Sequence, residues 1–141
     1  DCKAMCDVSG MFYSWDEAMK ACPQGWKLPT LEQWKSVKGT LEGVAGDFLT
    51  FASCNGENIM EWWPDVKINN STRLSIVFFG YCNLSAGTFE GIASKAAFWT
   101  ADKLDDKYAK YIYILDNHTD ILEGKGDIES FGATVRCVSA D

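Results

Sequence analysis

The sequence predicts one α+β domain in which two short helices are followed by a β-rich second half. Two helix-capping patterns lie near the N-terminus, at Ser14–Glu17 and Thr30–Gln33, and segments rich in β-branched and aromatic residues dominate the last third. The chain of 141 residues has the usual size of a single domain, and its six cysteines are typical of a domain braced by disulfides. We expect residues 1–9 to be a linker or N-terminal extension and residues 10–141 to be the domain.

The first helix is predicted from its capping pattern. Gly10–Tyr13 reads as a short strand, after which the Ser14 hydroxyl can accept from the third helical N–H while Glu17 reaches back. The helix is expected to run to about Cys22, because the proline and glycine at positions 23 and 25 end it.

The second helix is predicted by the same device, with Thr30 as the N-cap and Gln33 as its partner. It is expected to end near Gly39 or Gly43. Three apolar residues spaced three apart should share its buried side: Leu31, Trp34 and Val37.

From about Gly43 to Lys95 no helical period is visible, and about 50 residues of bare loop would be unusual in a compact domain. We therefore expect short strands joined by ordered loops, with strands at Ser75–Phe79 and Thr88–Ile92. The C-terminal part is predicted to be β, with strands at Ala97–Ala101, Tyr108–Leu115 and Ala133–Val138 and a turn at 116–118. On the tyrosine-rich strand, Tyr111 and Tyr113 should share one face.

The cysteines indicate an oxidising compartment. They stand at positions 2, 6, 22, 54, 82 and 137 with no C-x-x-C pair, and His118 is the single histidine, so a zinc site is not expected. Disulfide-bonded acidic domains of this size are typical of secreted, periplasmic or cell-surface proteins.

The charge excludes two classes of partner. The net charge of −7 disfavours nucleic acid and anionic membrane surfaces, which both select clustered lysine and arginine. No segment approaches the roughly 20 apolar residues that a membrane-spanning helix needs. We therefore expect neither nucleic-acid binding nor membrane insertion.

Three sequence phrases together carry a resemblance to a known family. These are Cys22-Pro23-x-Gly25-Trp26-x-Leu28-Pro29, Phe98-Trp99-Thr100-Ala101 and Val135-Arg136-Cys137-Val138. They resemble the Fibrobacter succinogenes major paralogous domain, a bacterial surface-associated family whose fold is similar to C-type-lectin-like domains. The resemblance covers about residues 10–138 and is most specific at its two ends.

The resemblance implies two helices packed on a small twisted antiparallel sheet, with a long loop region in the middle. It also implies a disulfide between the first helix and the last strand, which here is Cys22–Cys137. With that bond taken, Cys54–Cys82 is the natural brace for the middle. Cys2 and Cys6 are left either as a local loop or as a link to something upstream.

In lectin-like folds the long loop region holds the ligand, and here that region contains Trp62-Trp63-Pro64-Asp65. Aromatic faces stack on sugar rings, and neighbouring carboxylate and amide groups bond hydroxyls, although the simpler explanation is that one tryptophan lies in the core and the other pins the loop. The candidate ligand-binding residues are Trp62, Trp63, Asp65, Asn69 and Asn70, with Tyr81 and Asn83 as secondary candidates.

Catalysis and cofactors find little support in the sequence. The calcium-binding triplets of sugar-binding C-type lectins are absent, so calcium-dependent binding is not carried over and no cofactor is expected. His118 has no nucleophile nearby in sequence, and adjacent acids such as Asp105-Asp106 do not make an opposed catalytic pair.

The expected function is therefore a secreted or cell-surface, non-catalytic binding or adhesion module for polysaccharide or a surface protein. We expect it to belong to a larger multidomain chain. The first alternative is a structural building block of a larger surface assembly, with no soluble ligand. The second is a carbohydrate-active enzyme, which needs two carboxyl groups about 5–10 Å apart across a cleft.

Overall fold

A computed structural model describes residues 12–50 and 66–141, together with the backbone of two short strands between those ranges. The helices are α1 (Trp15–Ala21), α2 (Leu31–Ser36) and α3 (Ala45–Phe48). The strands are β1 (Trp26–Lys27), β2 (Ser53–Cys54), β3 (Glu57–Asn58), β4 (Tyr81–Asn83), β5 (Thr88–Glu90), β6 (Lys95–Lys103), β7 (Tyr108–Leu115), β8 (Leu122–Asp127), β9 (Phe131–Gly132) and β10 (Val138–Ser139).

Both predicted helices form, and both capping boxes are complete. The Ser14 hydroxyl accepts from the backbone N–H of Glu17, and the Thr30 hydroxyl accepts from that of Gln33. Helix α2 ends at Ser36, a few residues before the predicted end. Val37, predicted to be buried, is 45% exposed, because its N–H turns back to the carbonyl of Trp34 and ends the helix there.

The central sheet has the order β6-β7-β8, and all its pairs are antiparallel. A second sheet has the order β5-β4-β9, and two further pairs are β1-β10 and β2-β3. Strand β7 lies where the sequence predicted it, whereas β6 is longer than predicted, running over Lys95–Lys103.

Hydrophobic clusters cover both faces of the central sheet. On one face, Phe98 and Ile112 pack with the helical residues Trp34 and Phe48. On the other face, the side chains of Trp99 and Tyr111 pack with those of α1. Tyr111 and Tyr113 share this second face, as predicted, since residues two apart on a strand point the same way.

The ends of the chain are tied together. Strand β1 pairs with β10, and Tyr13 bridges to Ala133. The predicted Cys22–Cys137 disulfide is present, with a Cα–Cα distance of 5.8 Å. The segment from the end of α1 to β1 and the segment leading into β10 are therefore joined by both backbone pairing and a covalent bond.

Two predicted strands are wrong in extent. Residues 75–79 are largely buried but form single bridges, through Ile76 to Leu49, rather than a strand. The N–H of Phe79 bonds back to the carbonyl of Val77, which breaks any continuous ladder. The predicted strand Thr88–Ile92 ends at Glu90, before Gly91 takes a φ of 71°.

The predicted strand Ala133–Val138 is likewise interrupted, because the chain changes partners along it. Ala133 bridges to Tyr13, Thr134 to Phe98, and only Val138 starts a regular pair, with β1. Strand β8 was not predicted, since Gly124 and Gly126 disfavour a strand assignment.

The predicted Cys54–Cys82 bond is wrong. Cys82 is a free, buried cysteine on β4, paired across the sheet with Gly132 of β9 and Phe89 of β5. Its neighbours in the sheet therefore occupy the space around it. The side chain of Cys54 and the predicted Cys2–Cys6 pairing lie outside the described residues.

No helix within the described ranges is long and apolar enough to cross a membrane.

Candidate functional site

An open groove of about 200 Å³ lies between the central sheet and the sheet β5-β4-β9. It exceeds two other cavities, of about 10 and 80 Å³. Its volume is below the roughly 300–1,000 Å³ of sites that enclose a drug-sized ligand, so it suits one small ring or a short stretch of a chain. The groove is lined by Tyr81, Cys82, Asn83, Glu90, Lys125, Gly126, Asp127, Ser130 and Phe131.

A stacked aromatic pair forms part of the groove wall. The rings of Tyr81 and Phe131 are 5.2 Å apart between centroids and inclined by 27°. Phe131 also packs on Tyr111, at 4.5 Å, and edge-on to Trp99, at 5.4 Å. The aromatic wall is therefore anchored in the hydrophobic cluster.

Gly126 makes this anchoring possible. A Cβ atom at Gly126 would lie 2.7 Å from Cδ2 of Phe131 and 2.8 Å from Cη2 of Trp99, both far inside contact distance. At Gly124 a Cβ would lie 2.7 Å from the ring of Tyr111. Aromatic rings that cover strand glycines are a known way to stabilise a sheet at such positions.

The amino group of Lys95 lies among three tyrosine rings behind the aromatic wall. Its Nζ is 4.6 Å from the ring centroid of Tyr81, 5.4 Å from that of Tyr111 and 4.5 Å from that of Tyr113. Burial lowers the pKa of Lys95, and the charge of Glu90 opposes that effect. Burial and the charge of the nearby Glu90, to which the phenol is hydrogen-bonded, raise the pKa of Tyr81.

Polar groups surround the aromatic wall. The Asp127 carboxylate accepts from the backbone N–H groups of Glu129, at 2.9 Å, and Ser130, at 3.1 Å, and these bonds lower its pKa. The Asn83 side-chain oxygen accepts from the N–H of Ala86 at 3.1 Å. Amide, hydroxyl and carboxylate groups thus border one aromatic surface.

The structure brings together two of the predicted site residues, Tyr81 and Asn83, in the groove. Asn69 and Asn70 do not line it. The Asn69 amide donates to Asp47 at 2.7 Å, and the Asn70 amide donates to Ser75 at 3.0 Å. Both amides are therefore engaged in holding the loop 66–75.

The predicted residues Trp62, Trp63 and Asp65 lie outside the described residues. Other groove residues were missed by the sequence analysis: Glu90, Lys125, Asp127, Ser130 and Phe131. A glycine at every second position of a strand, as at Gly124 and Gly126, is the signal that points to aromatic side chains nearby.

Within the described ranges, no group of three or more His, Cys, Asp or Glu side chains is arranged to hold a metal ion. Two acidic residues that could offer oxygen ligands to a metal ion are instead engaged with backbone N–H groups. Asp102 accepts from the N–H of Leu31 at 2.6 Å, and Asp105 accepts from that of Tyr108 at 2.8 Å. These carboxylates cap a helix and a turn.

The fold and groove define a small α+β domain, closed by one described disulfide, with an aromatic-walled groove on its sheets. The chain belongs to the Fibrobacter succinogenes major domain family, whose model matches residues 3–139. The predicted family is therefore confirmed. Searches of curated proteins and of solved structures found no match.

Proposed function

We propose that this domain is a secreted or cell-surface, non-catalytic binding module that holds one segment of a polysaccharide in the groove. The observation that carries the proposal is the stacked pair of Tyr81 and Phe131 in the groove wall. The apolar face of a sugar ring packs on such a rigid aromatic surface at little entropic cost.

The polar groups around the pair suit hydroxyl groups. The Glu90 carboxylate lines the groove and can accept, and the Asp127 carboxylate keeps acceptor capacity after its two backbone bonds. Charges of both signs, from Glu90 and Lys125, line the same groove. An uncharged sugar is favoured, since a strongly charged ligand would meet a like charge on one side.

We further propose a C-type-lectin-like arrangement for the fold. Three features support it: the bond Cys22–Cys137, the pairing of β1 with β10, and two capped helices at the N-terminal end. Exposure to an oxidising compartment is supported by the same disulfide.

A glycosidase is less well supported. Asp127 and Glu90 both line the groove, but a general acid needs a raised pKa, whereas backbone hydrogen bonds lower that of Asp127. Asp127 is ionised at neutral pH and is engaged in holding the turn to Ser130.

A structural building block of a surface assembly is the second candidate, favoured by a different observation. On strand β5, Phe89 is 60% exposed and its ring lies 5.5 Å from that of Phe12 at a tilt of 60°, and Ile92 beyond it is 48% exposed. Apolar side chains grouped at a sheet edge suit contact with another protein surface.

The test is a glycan array and a cellulose pull-down, each with and without calcium, using the whole chain. We expect binding of an uncharged polysaccharide that Tyr81→Ala weakens roughly 5- to 30-fold, since the stacked ring is worth roughly 1–2 kcal/mol. Trp26→Ala is the matched control, because Trp26 is 52% exposed and lies outside the groove.

Trp62→Ala is compared with Tyr81→Ala in the same assay. If only Trp62→Ala abolishes binding, the ligand site lies in the middle region and the groove assignment is wrong. If no glycan binds and the chain self-associates in solution, with Phe89→Ser restoring the monomer, the structural-assembly function replaces the proposal.

A further inference from the structure

Strand β8 forms an edge of the central sheet, since among the described strands it pairs with β7 alone. The direction of its main-chain groups follows from the opposite edge, where the N–H of Trp99 and the carbonyl of Ala97 both bond Thr134, away from β7. Main-chain groups alternate in direction along an antiparallel strand. The even-numbered residues of β6 therefore bond β7, the odd-numbered residues of β7 bond β8, and the odd-numbered residues of β8 point outwards.

Three residues of β8 point outwards by this rule: Glu123, Lys125 and Asp127. The bond just before the strand agrees with this direction, because the outward N–H of Ile121 donates to the carbonyl of Leu41 at 2.8 Å. Among the described residues, no group bonds the outward N–H or carbonyl of Lys125. The edge of the sheet is therefore free at Lys125.

The free edge borders the groove, because Lys125, Gly126 and Asp127 all line it. The side chain of Lys125 leans back over β7, with its Nζ 4.6 Å from the ring centroid of Tyr108, which leaves the outward main-chain groups uncovered. The ring of Phe131 packs against Gly126, one residue or about 3.3 Å further along the strand. A sugar stacked on the aromatic pair is therefore within reach of the Lys125 N–H.

The side chains of the groove include strong acceptors. Glu90 and Asp127 line it as carboxylates, and sugar hydroxyls can donate to them. The free N–H of Lys125 needs an acceptor instead, and the usual acceptor for a strand N–H is an amide carbonyl, as in every β-ladder. A ligand with an amide N–H and an amide carbonyl would bond both kinds of group without adding charge.

We propose that the polysaccharide in the groove is built of 2-acetamido sugars. The acetamide carbonyl accepts from the Lys125 N–H, and the acetamide N–H donates to the carboxylate of Glu90 or Asp127. The sugar ring stacks on Tyr81 and Phe131. This inference rests on the proposed function, since it names the class of sugar that the same groove takes.

The test is a titration of the ¹⁵N-labelled whole chain with four methyl β-glycosides: those of N-acetylglucosamine, glucose, N-acetylgalactosamine and galactose. Each acetamido sugar is matched by its parent hydroxyl sugar, and the two pairs differ in ring configuration. We expect at least one acetamido sugar to bind about fivefold or more tightly than its parent. The amide proton of Lys125, identified by sequential assignment, should shift downfield with that sugar and much less with its parent.

Lys125→Pro removes the outward N–H without breaking the β7–β8 ladder, because proline is tolerated on a strand edge where the N–H faces away from the sheet. It should abolish the preference for the acetamido sugar. Lys125→Ala changes the side chain but keeps the N–H, so the preference should remain.

Glu123→Pro is the matched control, since Glu123 also points outwards but does not line the groove, and the preference should remain there as well. Urea unfolding checks that each variant folds. If Lys125→Pro does not fold, the shift of the Lys125 amide proton in the original chain decides.

Three results would overturn this inference while polysaccharide binding that Tyr81→Ala weakens stays intact. The first is equal binding of the two sugars within both pairs. The second is an acetamido preference that a folded Lys125→Pro chain keeps. The third is an unshifted Lys125 amide proton in a chain saturated with an acetamido sugar. A chain that binds no glycan at all overturns the proposed function as well.

Discussion

Gly126 allows the rings of Phe131 and Trp99 to pack closely beneath the groove wall, because it has no side chain. Its hydrogen lies where a methyl group would collide with Phe131 and Trp99, the rings that support the aromatic wall. We predict that Gly126→Ala destabilises the fold by about 1–3 kcal/mol, the usual cost of overpacking. Urea unfolding measures the change.

Lys125→Ala is the control for that substitution. It alters the exposed neighbour of Gly126 on the same strand without adding an atom between the rings. A Gly126→Ala chain as stable as the Lys125→Ala chain would show that Phe131 moves freely. In that case the wall is not anchored as described.

Tyr111 gives the fold a dependence on alkaline pH. Burial, together with Tyr113 and Tyr81, raises the pKa of Tyr111 to about 12. The unfolded chain loses this proton near pH 10, whereas the folded chain keeps it, so the contribution to stability is complete below about pH 10 and is lost as the pH rises towards 12.

We therefore predict a shallower loss of stability between about pH 10 and 12 for Tyr111→Phe than for the original chain. Lys95 affects the pH dependence of stability in the opposite direction. Its pKa is lowered in the folded chain, so the free energy of unfolding rises as the pH approaches the usual pKa of lysine. Because the Lys95 amino group lies 3.4 Å from the Tyr111 hydroxyl, the two chains are compared by urea unfolding at each pH both as they stand and with Lys95→Met added to each. Parallel curves would contradict the raised pKa of Tyr111.

Single residues were predictable only where local chemistry decides their role. Tyr81 and Asn83 were selected as polar or aromatic side chains in a loop-rich region, and they line the groove. Asn69 and Asn70 had the same composition, but their amides bond Asp47 and Ser75. Sequence alone does not distinguish an amide that binds a ligand from one that holds a loop, since both choices depend on the tertiary neighbours.

At the level of elements, the helix starts were predictable because a capping box depends on four consecutive residues. Helix α2 adds one feature that sequence could not reveal, since Asp102 accepts from the N–H of Leu31 across 71 residues. Two side chains therefore satisfy the N-terminal N–H groups of one short helix.

We predict that Thr30→Ala lowers the free energy of unfolding by about 1 kcal/mol, the usual value of an N-cap hydroxyl. Thr30→Ser keeps the hydroxyl and should cost only a few tenths of that figure. Both are measured by urea unfolding. A Thr30→Ala chain as stable as Thr30→Ser would mean that Asp102 caps the helix sufficiently on its own.

Strands were predictable where both side-chain faces are apolar and continuous. Strand β7 met this condition because Ile112 and Tyr111 pack on opposite sides of the sheet. Residues 75–79 have similar composition, yet only Ile76 makes a bridge, because pairing there depends on where Leu49 lies. Strand β8 was missed because its glycines are required by aromatic rings that pack directly over them. Those rings belong to other elements, so the sequence of the strand does not reveal why glycine is there.

At the level of the whole molecule, the family resemblance predicted a disulfide correctly, whereas elimination among the remaining cysteines did not. The resemblance implied Cys22–Cys137, which the structure contains. Elimination then assigned Cys54–Cys82, and Cys82 is instead a free, buried thiol within a sheet. Pairing requires Cα atoms roughly 4.4–6.8 Å apart, which is a property of the folded chain that counting cannot supply.

The Cys22–Cys137 bond spans 115 residues and so closes most of the chain into one loop. In the chain-entropy model a loop of that length stabilises the fold by about 5 kcal/mol, which is comparable with the whole stability of a small domain.

We predict that the double substitution Cys22→Ser, Cys137→Ser lowers the free energy of unfolding by about 3–5 kcal/mol, measured by urea unfolding. Cys82→Ala is the control, because that cysteine is buried but unbonded, and it should cost much less. A double variant as stable in urea as the original chain would mean that β1–β10 pairing alone holds the two ends together. The disulfide would then not be the main constraint on this fold.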